Sequence, residues 1–279
     1  MNPKIFTKNN YFLMLALDHR DSFMKIVGTE DEQKLVEAKK EIISSLIYQF
    51  SGILIDQKIG FKAYSLLNID LLKPFLLPIE KSGYKETGDG RFNELASTVE
   101  EIKDMGASGV KLLIYFNKKD RSAKKQIETA KTISEECKKN DTPFFLEIVN
   151  YAQGSDVLDS VKIFKQEGVN PAVFKIEYPG SDQKCLEVTN FLEDTPWILL
   201  SRGVTYEQFL KQVISASQNG CQGFLAGRSL WQDYFTITYT NKKLEFLNTE
   251  LPRRFAEMSG FFKWIKTQIL HLNKKTFAS

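Results

Sequence analysis

Only two histidines and three cysteines occur among the 279 residues. His19 and His271 stand too far apart in sequence to supply a multi-histidine zinc site. Cys137, Cys185 and Cys221 show no paired spacing and leave an odd count, which argues against a disulfide framework or a CxxC metal site. Scattered thiols of this kind point to a reducing, cytoplasmic setting. Long hydrophobic runs are also missing. The apolar stretch Tyr11–Leu17 ends in Asp-His-Arg and lacks a small-residue cleavage site, so it reads as a buried strand and not as a signal peptide. Nothing approaches the ~20 apolar residues of a membrane span. The formal net charge is only +3, with Lys and Glu intermixed, which gives no reason to expect a nucleic-acid or membrane partner. A weak basic excess remains compatible with small anionic substrates. No Gly-x-Gly-x-x-Gly follows the first apolar run, and no Pro-rich or Gly/Ser-rich linker divides the chain.

What is present is an alternation. Short apolar runs at 11–17, 52–56, 74–80, 109–116, 143–149, 172–178, 196–201 and 222–227 are separated by longer charged stretches. Among the latter, Asp31–Phe50, Asn93–Met105, Ser122–Lys139 and Tyr206–Gln218 have helical periodicity. Strand and helix in turn imply a parallel sheet with right-handed crossovers, and eight repeats close most naturally into a (β/α)8 TIM barrel. A doubly wound open sheet is the alternative. Residues 1–279 are expected to form a single domain, since such barrels take ~250 residues. Lys81–Arg91, with three glycines, reads as a long loop after the third strand, and Glu250–His271 as a closing helix. Phe261, Phe262 and Trp264 in that helix are expected to be core or subunit contacts.

Barrel strands are buried on both faces and should be almost continuously apolar. Three of them are not. Lys111 lies in the fourth (109–116), Glu147 in the fifth (143–149), and Lys175 with Glu177 in the sixth (172–178). Buried charges are costly unless paired or used. One account is a salt-bridge cluster, Glu147 with Lys111 or Glu177 with Lys175. The other is chemistry. Two lysines side by side disfavour each other's ammonium form, which would yield a neutral amine able to attack a ketone, with Glu147 shuttling protons.

Other polar groups end strands at the C-terminal rim where barrel sites lie: Asp18, His19 and Arg20 after the first, Asp56 after the second, Glu80 after the third. Asp18 and Asp56 are candidates to orient substrate hydroxyls, to pair with a lysine, or to cap the next helix. A magnesium site from Asp18, Asp56 and Glu80 is the metal alternative; the favoured reading needs neither metal nor cofactor. Ser201-Arg202-Gly203 and Ala226-Gly227-Arg228-Ser229 end the seventh and eighth strands, where barrels commonly hold a phosphate.

These segments, in order, carry a resemblance. Ala16-Leu17-Asp18-His19-Arg20, Glu80-Lys81-Ser82-Gly83-Tyr84, Val110–Tyr115, Phe144–Ile148, Phe174–Pro179, Pro196–Ser201 and Leu225–Trp231 together resemble the class I tagatose 1,6-bisphosphate aldolases and the related sulfofructose-phosphate aldolases. The resemblance implies a lyase that releases dihydroxyacetone phosphate from a ketohexose phosphate. It puts Lys175 on the Schiff-base lysine, Lys111 on the second lysine, Glu147 on the acid/base glutamate and Asp18 on the strand-one aspartate. Ser201, Gly203, Gly227 and Arg228 fall on the phosphate loops, with His19 and Arg20 beside the substrate. His19 stands where a glutamine is expected, and Arg202 where a small residue is expected. The expected partner is a sugar phosphate, tagatose or fructose 1,6-bisphosphate-like or sulfonated at the far end, and the chain is a candidate homo-oligomer. A transferase using the same Schiff base and a non-catalytic sugar-phosphate sensor are the competing classes.

Overall fold

The computed structural model describes residues 2–68, 70 and 72–262. In chain order its strands are β1 (Phe12–Leu17), β2 (Gly52–Ile55), β3 (Phe75–Pro78), β4 (Lys85–Thr87), β5 (Gly90–Phe92), β6 (Gly109–Phe116), β7 (Phe144–Asn150), β8 (Val173–Ile176), β9 (Trp197–Leu200) and β10 (Gly223–Ala226). All but β4 and β5 are parallel and close into a barrel in the order β1-β10-β9-β8-β7-β6-β3-β2. The helices are α1 (Asp21–Val27), α2 (Glu32–Leu46), α3 (Ile59–Ser65), α4 (Val99–Asp104), α5 (Ser122–Lys139), α6 (Val157–Gln166), α7 (Asp182–Leu192), α8 (Tyr206–Gln218), α9 (Arg228–Trp231) and α10 (Thr240–Glu245). This is the (β/α)8 barrel that the alternation predicts. Among the described residues no helix is long and apolar enough to cross a membrane.

The period of two along each strand sorts side chains into two cores. Phe12, Met14 and Ala16 face the barrel interior with Leu54, Leu76, Phe145, Val173, Ile198 and Leu225. The intervening Leu13, Leu15 and Leu17 pack outward against the helices. The floor of the barrel is closed from outside the sheet. A 3-10 turn, Pro3–Phe6, inserts Phe6, which is fully buried against Phe145 with ring centroids 5.2 Å apart. Gly52 and Gly109 make room for it, since a Cβ on Gly52 would lie 2.7 Å from the Phe6 ring. With Phe145 and Val173 inward, the same face two residues on belongs to Glu147 and Lys175. Pairing of β7 with β8 sets these two directly opposite each other.

Between the strands, three stretches differ from the expectation. Lys81–Arg91 is not wholly loop: β4 and β5 form a small antiparallel hairpin at the mouth. The stretch Asn93–Met105 becomes helical only at Val99, because Thr98 and Glu101 form a capping box there. Before it, the N–H groups of Ala96 and Ser97 are drawn to the Ile79 carbonyl instead. The predicted helix Asp31–Phe50 stops at Leu46. Of the closing helix, residues 251–262 are helical and Phe262 is buried against Phe224. Trp264 and His271 lie outside the described residues.

Candidate active site

A cavity of about 500 Å³ opens at the C-terminal ends of the strands. Its lining includes Asp18, His19, Arg20, Lys111, Glu147, Lys175, Ser201, Gly203, Gly227 and Arg228, so all ten candidates from sequence converge on one space. Asp56 does not line it. That carboxylate is buried behind β2, ion-paired with Lys39, and accepts the backbone N–H groups of Lys58, Ile59 and Gly60 at the start of α3. Of the roles open to Asp56, pairing and capping are the ones it fills. A magnesium site built on Asp18, Asp56 and Glu80 does not form: among the described residues no group of three or more His, Cys, Asp or Glu could hold a metal ion.

Two lysines meet one glutamate at the centre. Lys111 Nζ lies 3.1 Å from Glu147 Oε2, and Lys175 Nζ lies 2.8 Å from the same oxygen. Beyond that shared contact the two differ. Lys111 also touches Asp18 Oδ2 at 3.0 Å and Glu80 Oε1 at 2.7 Å. Burial would lower the Lys111 pKa, but Asp18, Glu147 and Glu80 outweigh it and hold it well above the usual lysine value. The expectation that neighbouring lysines lower each other's pKa is therefore corrected for Lys111, because three carboxylates surround it. Burial would likewise raise Asp18 and Glu147, yet Lys111 and Lys175 hold both carboxyls below their ordinary range.

Glu80 is the partner that the sequence reading did not assign. It is 2% exposed, and its second oxygen accepts the Leu113 N–H at 3.1 Å. The available signal was a carboxylate two residues beyond the apolar Phe75–Pro78 run. Tyr115 and Lys25 also line the cavity without having been singled out. The proposed pair Glu177–Lys175 is absent. β8 ends at Ile176, and Glu177 turns away to accept the Asn150 N–H at 2.8 Å and to pair with Arg202. Arg202 thus lines the cavity from a strained backbone with φ +49.

The opposite wall is built from small residues. A Cβ on Gly203 would lie 3.1 Å from the Arg228 guanidinium carbon, so glycine there lets the arginine lie flat against the loop. Arg228 Nε is buried without a hydrogen-bond partner among the described residues. A Cβ on Gly227 would come 2.9 Å from His19 Cε1. The His19 ring stands edge-on to Trp231 at 5.3 Å, its Nδ1 3.8 Å from Asp18 Oδ1. Burial draws its pKa down to about 4, against the pull of Asp18 and with the help of Arg228, so the imidazole is neutral near pH 7.

Comparison with known proteins agrees with this architecture. Residues 12–233 match the model of the DeoC/LacD family aldolases. A tagatose 1,6-diphosphate aldolase of Listeria monocytogenes serotype 4a (strain HCC23) is 29% identical over 78% of this chain and 77% of its own. Tagatose 1,6-diphosphate aldolase 1 of Streptococcus mutans serotype c is 27% identical over 93% of this chain and 94% of its own. Among solved structures, an archaeal fructose 1,6-bisphosphate aldolase shares the fold with a TM-score of 0.66 at 20% identity, over 91% of this chain and 96% of that one. A Schiff-base-forming fructose-1,6-bisphosphate aldolase does so with a TM-score of 0.62 at 19% identity, over 88% and 94%. The molecule is an enzyme, an aldehyde-lyase built on a (β/α)8 barrel. More particularly, the chain belongs to the DeoC/LacD family of aldolases.

Proposed function

We propose that this aldolase cleaves a ketohexose phosphate, of the tagatose or fructose 1,6-bisphosphate kind, through a Schiff base on Lys175. The observation that carries the assignment is the unequal company of the two lysines. Lys111 is held as an ammonium by three carboxylates, whereas among the described residues Lys175 pairs with Glu147 alone. A lysine that must lose a proton to attack a carbonyl cannot be the caged one.

The steps follow from these neighbours. Glu147 takes a proton from Lys175, and the free amine adds to the substrate ketone. Glu147 then returns a proton to the carbinolamine hydroxyl, which leaves as water and gives the iminium ion. Glu147, again a carboxylate, takes the proton of the C4 hydroxyl as the C3–C4 bond breaks, which releases the aldehyde and leaves the bond's electron pair as an enamine on Lys175. Glu147 then gives that proton to C3, and hydrolysis of the iminium ion by water frees dihydroxyacetone phosphate and regenerates the lysine. Lys111 would supply a fixed positive charge beside the developing oxyanion, and Asp18 would accept a hydrogen bond from a substrate hydroxyl.

The Ser201–Gly203 and Gly227–Arg228 loops would take the phosphate of the fragment that stays bound, since Arg228 already presents an unmatched donor. On the other side Arg20 donates to the Glu80 carbonyl oxygen rather than to a carboxylate, at 3.1 Å, beside Lys25 in the lining. That supports a second anion at the far end of the sugar, phosphate or sulfonate. Borohydride with dihydroxyacetone phosphate should inactivate the enzyme, and peptide mapping should find the reduced adduct on Lys175. An adduct on Lys111 alone, or none, overturns the assignment.

A further inference from the structure

The core-facing side of α2 reads Leu35, Val36, Ala38, Ile42, Ile43 and Leu46, and Lys39 stands in the middle of it, 1% exposed. An ammonium in that position needs an acceptor for each proton. It has three: the Leu17 carbonyl at 2.8 Å, the His19 carbonyl at 2.9 Å, and Asp56 Oδ2. Asp56 is itself anchored. Its oxygens accept N–H groups from Lys58, Ile59 and Gly60 at 3.1, 2.8 and 2.8 Å. Gly60 permits this, because a Cβ there would lie 2.7 Å from Asp56 Oδ2.

The two carbonyls flank Asp18. Leu17 is the last residue of β1 paired with β2, opposite Ile55, so beyond it the ladder no longer fixes the chain. The Lys39 ammonium takes over at that point. It fastens the backbone on both sides of Asp18 to α2 and, through Asp56, to the start of α3. We propose that Lys39 is a positioning residue for the lyase reaction, holding the Asp18 carboxylate against Lys111 from behind the barrel wall. An apolar side chain of similar length would fill the same volume without burying a charge, so packing alone does not account for a lysine here. The proposal rests on the reading of Asp18 as part of the reacting site.

The test is a double-mutant cycle on the full chain, following release of dihydroxyacetone phosphate from tagatose 1,6-bisphosphate. Lys39→Met should lower kcat about tenfold with little change in KM, and Asp18→Asn should lower it at least as far. Combined, Lys39→Met should cost less than about a further twofold, because residues acting through one another do not add. Should Lys39→Met fail to fold, Lys39→Gln, which keeps a donor on a shorter neutral side chain, enters the same cycle. Independent, multiplying losses overturn the clamp, as does a wild-type kcat in the folded Lys39 variant. Wild-type kcat in Asp18→Asn alone instead overturns the reading of Asp18, and the clamp with it.

Discussion

The two walls of the cavity handle charge in opposite ways. On the β1, β3, β6, β7 and β8 side, Lys111 and Lys175 face the carboxylates of Asp18, Glu80 and Glu147 at 2.7–3.1 Å. On the β9 and β10 side, glycines open the backbone around Arg228, whose Nε has no partner among the described residues. A compensated cluster holds protonation states fixed while bonds change. An uncompensated cation waits for charge that a ligand brings. The difference teaches where chemistry and where binding should reside, and mutation should separate them.

The largest effect belongs on the compensated wall. Lys111→Met and Glu147→Gln should fold and yet lose about 10²-fold or more in kcat, the scale of a positioned acid or base. Wild-type turnover in both would reduce that wall to a buried salt-bridge cluster. On the other wall Arg228→Ala should lower kcat/KM by about tenfold or more, since a charge-assisted hydrogen bond is worth roughly 1.5–3 kcal/mol. The loss should shrink when dihydroxyacetone replaces its phosphate as the trapped or condensing ketone. An equal loss with both would mean that Arg228 supports the fold or the sugar's far end.

His19 touches both walls, and its effect should appear in the pH dependence of stability rather than in turnover. Its folded pKa, about 4, lies below the ordinary histidine value of ~6.5, so on acidification the unfolded chain takes up the proton first. Stability is therefore lost as pH falls from about 6.5 toward about 4. Replacing the imidazole by an amide, His19→Gln, should flatten that part of the curve. The difference between wild type and variant in urea unfolding should change by on the order of 2 kcal/mol from about pH 7 to about pH 4.5. Parallel curves would show that the ring is protonated as easily as in solution. Asp18 and Glu147, held low by the two lysines, give a separate loss at lower pH as they take up protons.

Much of this was readable beforehand. Lys111, Glu147 and Lys175 stood out because ionisable side chains interrupt otherwise apolar strands, and the period of two then carries them inward with Phe145 and Val173. Glu80 and Lys39 were harder. Glu80 follows a strand that ends at Pro78, so its inward course depends on the Leu113 N–H of a neighbouring strand. Lys39 sits in the charged run Lys39-Lys40-Glu41 and resembles a solvated helix face until the tertiary position of α2 is known. The Glu177–Lys175 pair failed for a similar reason. Alternation predicts a shared face only while the strand lasts, and β8 stops one residue short of Glu177.

The seam between β1 and β10 has a consequence for how the chain comes to be folded. Phe12 pairs with Gly223, 211 residues later, and a Cβ on Gly223 would lie 2.1 Å from the Phe12 carbonyl oxygen. During synthesis, at ~5–20 residues per second, β1 therefore waits roughly 10–40 s for its second neighbour. Through that interval an entirely apolar strand, Phe12-Leu13-Met14-Leu15-Ala16-Leu17, keeps one edge of unpaired N–H and C=O groups. Barrel closure thus joins β1 to β10 across a contact that leaves no room for a Cβ at Gly223. Until it happens, the nascent protein carries the kind of edge that chaperones shield and that other strands can join.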